Sequence, residues 1–155
     1  ISKISIKQFN FEKIYWVVTK KNPLKKKSFF STKQRVEKSK KITKNLRKVK
    51  VVYLDGKVKS SRTIKIIEYL NNSENGKKLY LIIGSDNLLH FHKWKSWKKI
   101  VKLAKLVVFS RKGYDTKSNS SIVVKYLKKK NINFVKNKKI NVSSSLIKKI
   151  YLKSN

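Results

Sequence analysis

The chain has 155 residues, enough for one domain with a sizeable core. It carries 42 Lys+Arg against 7 Asp+Glu, a formal net charge of +35, and no cysteine, which excludes disulfides and thiolate metal sites. No apolar run reaches the ~18 residues of a membrane span and no leader-like apolar segment follows the start, so the expectation is a cytoplasmic protein without a membrane partner.

The elements alternate from the start of the chain. Ile1, Ile4, Ile6 and Phe9 carry helical spacing and Asn10 is a stop signal. Lys13 to Thr19 (KIYWVVT) is aromatic and β-branched, which predicts a strand. Pro23 bars the next stretch, Lys20 to Lys27, from a helix interior or a central strand, so it reads as a basic loop at a strand end. Ser31 or Thr32 is placed to cap a helix to about Asn45, with Gln34 and Arg35 in its first turn. Val49 to Leu54 is a second strand and Asp55-Gly56 a turn. Ser60 or Ser61 then opens a helix with Ile64, Ile66, Ile67 and Leu70 on its apolar positions.

Leu79 to Ile83 is a short apolar run broken by Gly84-Ser85-Asp86-Asn87, the pattern of a buried parallel strand ending in a loop. Ligands sit beyond the carboxyl ends of such strands, so Gly84 to Trp94 is the stretch in which a binding site is expected. Gly84 admits close backbone approach to a ligand. Ser85 is placed to cap the following helix. Asp86 can accept from ribose hydroxyls, and Trp94 offers a face for stacking. Trp97, Ile100, Val101, Leu103 and Ala104 have helical spacing; Leu106 to Phe109 is a strand that ends in the loop Ser110 to Tyr114. A helix over Ile122 to Lys130, a weak strand over Asn131 to Val135 and a last helix from Leu146, after Val142-Ser143-Ser144-Ser145, complete the order. The alternation predicts an α/β fold with a mostly parallel sheet and one domain over residues 1–155.

The loops at strand ends and helix starts supply cations for phosphates, an Asp for a ribose and a Trp for a ring, an inventory for a nucleotide. Neither G-x-x-x-x-G-K-[ST] nor G-x-G-x-x-G occurs. The basic charge is nearly all lysine, spread along the chain and accompanied by Ile and Asn, as an AT-rich genome imposes at unconstrained surface positions. Nucleic acid is therefore expected to bind only non-specifically. His90 and His92 have no neighbouring carboxylate cluster in sequence, so no metal site is expected on them.

Ile83-Gly84-Ser85-Asp86-Asn87-Leu88 through His92-Lys93-Trp94 resembles the bacterial nicotinate-nucleotide adenylyltransferases of the nucleotidyltransferase superfamily. Other stretches follow that family's order. Asn22-Pro23-Leu24-Lys25 resembles its N-P-L-K loop and Gln34-Arg35 its Q/E-R pair. Ser61-Arg62-Thr63-Ile64 is similar to S-Y-T-I, and Val107-Val108 with Arg111-Lys112-Gly113-Tyr114 to V-V-x-R-P-G-Y. Val142 to Lys148 is similar to I-S-S-T-x-I-R, with Ser145 for Thr and Lys148 for Arg. The resemblance implies a Rossmann-like fold, helices on both faces of the sheet, and adenylyl transfer from ATP to nicotinate mononucleotide with Mg²⁺, giving deamido-NAD and pyrophosphate. It places Gly84, Asp86, Ser143, Ser144 and Lys148 at ATP, and Asn22, Lys25, Thr63, Trp94 and Arg111 at nicotinate mononucleotide. The family's G-G-[ST]-F-[DN]-P-x-H-x-G-H, which carries its catalytic histidines, is matched nowhere, so no catalytic residue is assigned. The chain begins at Ile1 and holds no Met, and so reads as a piece lacking the first strand and part of the first helix, inactive by itself. Other readings are a related adenylyltransferase with another phosphate acceptor, a basic nucleic-acid-binding protein, or an inactive remnant.

Overall fold

Parallel β-pairing organises the structure, a computed structural model that describes residues 1–20 and 28–137. The chain divides into two units, Ile1–Tyr69 and Leu70 onward. In the first, helix α1 (Ser2–Phe9) ends at Asn10, whose left-handed φ of 48° reverses the chain as the Asn stop signal predicts. Strands β1 (Ile14–Val17) and β2 (Val49–Val52) pair in parallel, Ile14 opposite Val49 and Val17 opposite Val52. Helix α2 (Thr32–Thr43) lies between them in sequence. Its start is a full capping box. The Gln34 amide donates to Ser31 Oγ at 3.2 Å and the Ser31 amide to Gln34 Oε1 at 2.9 Å. Ser31 is thus the cap, as its place before the helix suggests.

Two expectations for this unit are corrected. Asp55-Gly56 is not a free turn but opens a one-turn helix, α3 (Asp55–Val58), which stops at Lys59 in the left-handed region. The Asp55 carboxylate accepts the Lys20 amide at 2.7 Å, a tertiary tie that keeps it in place. The following helix, α4, starts at Thr63 rather than at Ser60 or Ser61 and runs to Ser73. Ser60 Oγ instead accepts the Arg62 amide just ahead of it. Ile64, Ile66 and Ile67 are the buried residues of α4, as its spacing predicts.

The second unit is built on strands β3 (Leu79–Gly84), β4 (Ala104–Phe109) and β5 (Ile132–Val135), paired in parallel in that order. β4 is the middle strand. Leu106, Val107, Val108 and Phe109 are all buried because both of its faces are covered, which is why its sequence is continuously apolar rather than alternating. Helix α5 (Ser85–His90), a 3₁₀ turn (Phe91–Lys93) and helix α6 (Trp97–Leu103) connect β3 to β4. Helices α7 (Asp115–Asn119) and α8 (Ile122–Leu127) connect β4 to β5. Leu88, Phe91, Ile100 and Val123 complete this core, each fully buried. Two further readings change here. No loop separates β3 from α5, which begins at the residue after Gly84, and Ala104 belongs to β4 rather than to the helix before it. The α/β class with parallel pairing stands as expected. Residues 138–155, with the helix predicted from Leu146, lie outside the described residues.

Candidate functional site

The register of the three-stranded sheet levels its strand ends. Gly84 faces Phe109, and Phe109 faces Val135. The residues that follow each strand therefore emerge along one edge: Ser85 and Asp86, Ser110 and Arg111, Lys136 and Asn137. This is the edge at which parallel α/β sheets take their ligands. A cavity of about 520 Å³ opens there, lined by Ser85, Ser110, Asp115, Phe134, Lys136 and others, within the ordinary range for a small-molecule pocket.

Asp86 and Arg111 meet at this edge. Arg111 Nη1 donates to Asp86 Oδ2 at 2.7 Å, with the side chains 44% and 24% exposed. Half-exposed pairs of this kind are worth at most about 1 kcal/mol, so this one places two side chains more than it stabilises the unit. The other carboxylate oxygen, Asp86 Oδ1, is buried and accepts no hydrogen bond among the described residues. It is folded back over Gly84, where a Cβ would lie 2.5 Å from it. Gly84 has an ordinary extended backbone, φ −88° and ψ 159°. The space a side chain would take here is filled by the carboxylate of Asp86, which any larger residue would displace.

Ser85 does not cap α5. The N-cap is Gly84, with no side-chain hydrogen bond, and the six-residue helix is too short to gather a sizeable dipole. The Ser85 hydroxyl, buried, instead donates to Asp115 Oδ1 at 2.9 Å and accepts the Arg111 amide at 3.0 Å. The Arg111 amide also lies 3.0 Å from Asp115 Oδ1. Asp115 was missed because its partner is 30 residues away. A signal was nonetheless present: it is one of only 7 acids in the chain, and all three aspartates (Asp55, Asp86 and Asp115) follow a strand.

Trp94 closes the 3₁₀ turn, half-buried, its ring 4.8 Å from that of Phe91 at 36°. Its indole Nε1 and the neighbouring His92 Nδ1 are buried without a hydrogen-bond partner among the described residues. His90 is the last residue of α5. In the first unit, Thr63 is the first residue of α4 and half-buried. Arg35 donates to the carbonyl of Thr19 at 2.7 Å and to that of Lys20 at 3.4 Å, while Asp55 takes the Lys20 amide. Backbone groups on both sides of Lys20 are thereby held just ahead of the Asn22–Lys25 stretch. Of the residues expected at a site, the structure brings Gly84, Asp86 and Arg111 together. Asn22, Lys25, Ser143, Ser144 and Lys148 lie outside the described residues. A resolved shift in ionisation lies remote from this edge. Lys105, second in β4, is held below the usual lysine value first by its hydrogen bond with Lys78, then by that neighbour's charge, and last by burial.

The family model described as cytidylyltransferase-like matches residues 3–150. A probable nicotinate-nucleotide adenylyltransferase of Pelagibacter ubique is 41% identical over 150 residues, covering 97% of this chain and 83% of the relative. This chain belongs to the cytidylyltransferase-like family, among the nicotinate-nucleotide adenylyltransferases. A second family member, from Aquifex aeolicus and of the same name, is 33% identical over 141 residues, covering 88% of this chain and 84% of the relative. The same fold occurs in the solved Plasmodium falciparum nicotinic acid mononucleotide adenylyltransferase complexed with NaAD, with a TM-score of 0.67 over 96% of this chain and 75% of that one, at 18% identity.

Proposed function

We propose that this family member transfers an adenylyl group from ATP to nicotinate mononucleotide in NAD biosynthesis. The mononucleotide phosphate oxygen attacks the α-phosphorus of ATP, the bond to the β-phosphate oxygen breaks, and pyrophosphate leaves. Such a transfer asks the protein for positioning and charge stabilisation rather than covalent chemistry. The observation that carries the reading for this chain is the pairing of Asp86 with Arg111 at the levelled strand ends, with Asp86 Oδ1 left as an acceptor. In this reading Gly84 and Asp86 hold the adenosine ribose, Arg111 lies near phosphate, and Thr63 and Trp94 lie at the nicotinate ring. Asn22 and Lys25 serve the mononucleotide phosphate, and Ser143, Ser144 and Lys148 the ATP phosphates.

Magnesium enters on ATP. Mg²⁺ commonly reaches nucleotide enzymes on substrate phosphates. No residue is assigned as its ligand.

Exposed lysines are carried by both units, among them Lys3, Lys7, Lys33, Lys98, Lys117 and Lys125 on five different helices. A nucleic-acid-reading surface needs its cations gathered on one face. We therefore expect only salt-labile, non-specific binding to nucleic acid.

Calorimetric competition between nicotinate adenine dinucleotide, NAD and dephospho-coenzyme A tests the acceptor. The dinucleotide with the free carboxylate is expected to bind tightest. Tightest binding of dephospho-coenzyme A would move the chain to a phosphopantetheine acceptor.

A further inference from the structure

The Asp86–Arg111 pair is too exposed to hold two loops together by its own strength, yet its geometry is tight at 2.7 Å. Something more buried sets it. Immediately behind it, Ser85 and Asp115 make a closed triangle with the Arg111 amide, each side 2.9 or 3.0 Å. Ser85 is almost fully buried, and its hydroxyl both donates and accepts. The triangle joins three segments: the start of α5, the loop after β4 and the start of α7. It also lines the cavity at the sheet edge with Ser85 and Asp115.

We propose that Ser85 and Asp115 are positioning residues, a latch that fixes the Arg111 loop against the Gly84–Asp86 turn and so sets the spacing of the two substrate-binding loops. The hydroxyl of buried Ser85 anchors the triangle, and hydrogen bonds to a carboxylate are stronger and more directional than an exposed ion pair, so the latch dictates where Asp86 and Arg111 stand. Asp115 acts through geometry. Its Oδ1 is the acceptor for both donors, so an amide oxygen in the same place retains the function and a methyl group does not.

The test reads two quantities on residues 1–155: hydrogen exchange at the Arg111 amide, and affinity for nicotinate adenine dinucleotide. The affinity arm rests on the nucleotide reading; the exchange arm does not. In Asp115→Ala the Arg111 amide is expected to exchange at least about ten-fold faster and the dinucleotide to bind about ten-fold more weakly. Asp115→Asn is expected to hold both within about three-fold of the unsubstituted chain, since it keeps the Oδ1 acceptor. Each of these substitutions leaves the Arg111 amide one acceptor, but Ser85→Ala leaves it the charged one, so this variant is expected to fall between; it also decides the matter should Asp115→Ala fail to fold. Unchanged exchange at Arg111 in Asp115→Ala or Ser85→Ala would overturn the latch, as would an Asn variant as damaged as the Ala variant. Exchange responding as stated in a chain that does not bind the dinucleotide would sustain the latch and defeat the nucleotide reading.

Discussion

Gly84→Ala is expected to cost the chain about 100-fold in affinity for nicotinate adenine dinucleotide, the loss of roughly one strong hydrogen bond to a charged group. The new methyl carbon would sit 2.5 Å from Asp86 Oδ1 and 3.7 Å from the carboxyl carbon. No backbone strain contributes, because φ at this position is −88°. The clash is with the end of a side chain, which can swing away, so stability is expected to change by no more than about 1 kcal/mol. What is lost is the position of the carboxylate, and with it the contact to Arg111. Calorimetry for affinity and circular dichroism for melting separate the two effects. An alanine variant that binds as tightly as the unsubstituted chain would show that Asp86 does not hold the ligand.

Phe91→Ala is expected to be the most damaging single core change near the site, at about 3–5 kcal/mol. Phe91 is 0% exposed, in the 3₁₀ turn that carries His92 and ends at Trp94. Its ring supports that of Trp94 at 4.8 Å. Domains of this kind are stable by about 5–15 kcal/mol in all, so the loss is a large fraction of what holds the unit together. Phe91→Leu, which refills most of the space, is expected to recover the greater part. Denaturant unfolding followed by circular dichroism checks both. An Ala variant with an unchanged midpoint would mean that the turn collapses onto another partner, and that Trp94 does not depend on Phe91 for its place.

Leu106 to Phe109 was legible because a strand buried on both faces leaves a continuous apolar run. Leu79 to Ile83, half-buried up to buried Ile83, was legible because every residue in it is apolar or aromatic, and both strands were found within a residue or two of their bounds. Ser31 was legible as a cap because the capping box is a local pattern, closed within four residues. Ser85 was misread by the same local logic. Its hydroxyl serves residues 26 and 30 positions away, a choice made by the fold and invisible to any rule of short spacing. Asp55-Gly56 carries the dipeptide of a turn, but the tie from Asp55 to the Lys20 amide and a one-turn helix override it. Helix α7, with the sequence DTKSN, has no apolar period to announce it; buried Ser118, donating to the Asp115 carbonyl at 2.8 Å, helps to shape it. At the site, sequence order picked out Gly84, Asp86 and Arg111, which the sheet register then brings to one edge. Ser85 and Asp115, which hold that edge in shape, required the structure.

The central claim is that the levelled ends of β3, β4 and β5 form a nucleotide edge centred on Asp86 and Arg111. Amide chemical shifts of residues 1–155, followed by nuclear magnetic resonance during titration with nicotinate adenine dinucleotide, test it most directly. The account predicts saturable shifts concentrated at Gly84 to Asn87 and Ser110 to Tyr114, with the amino-terminal ends of the same strands, around Lys78 and Lys105, unmoved. Shifts confined to the lysine-rich surface and abolished by salt would contradict it.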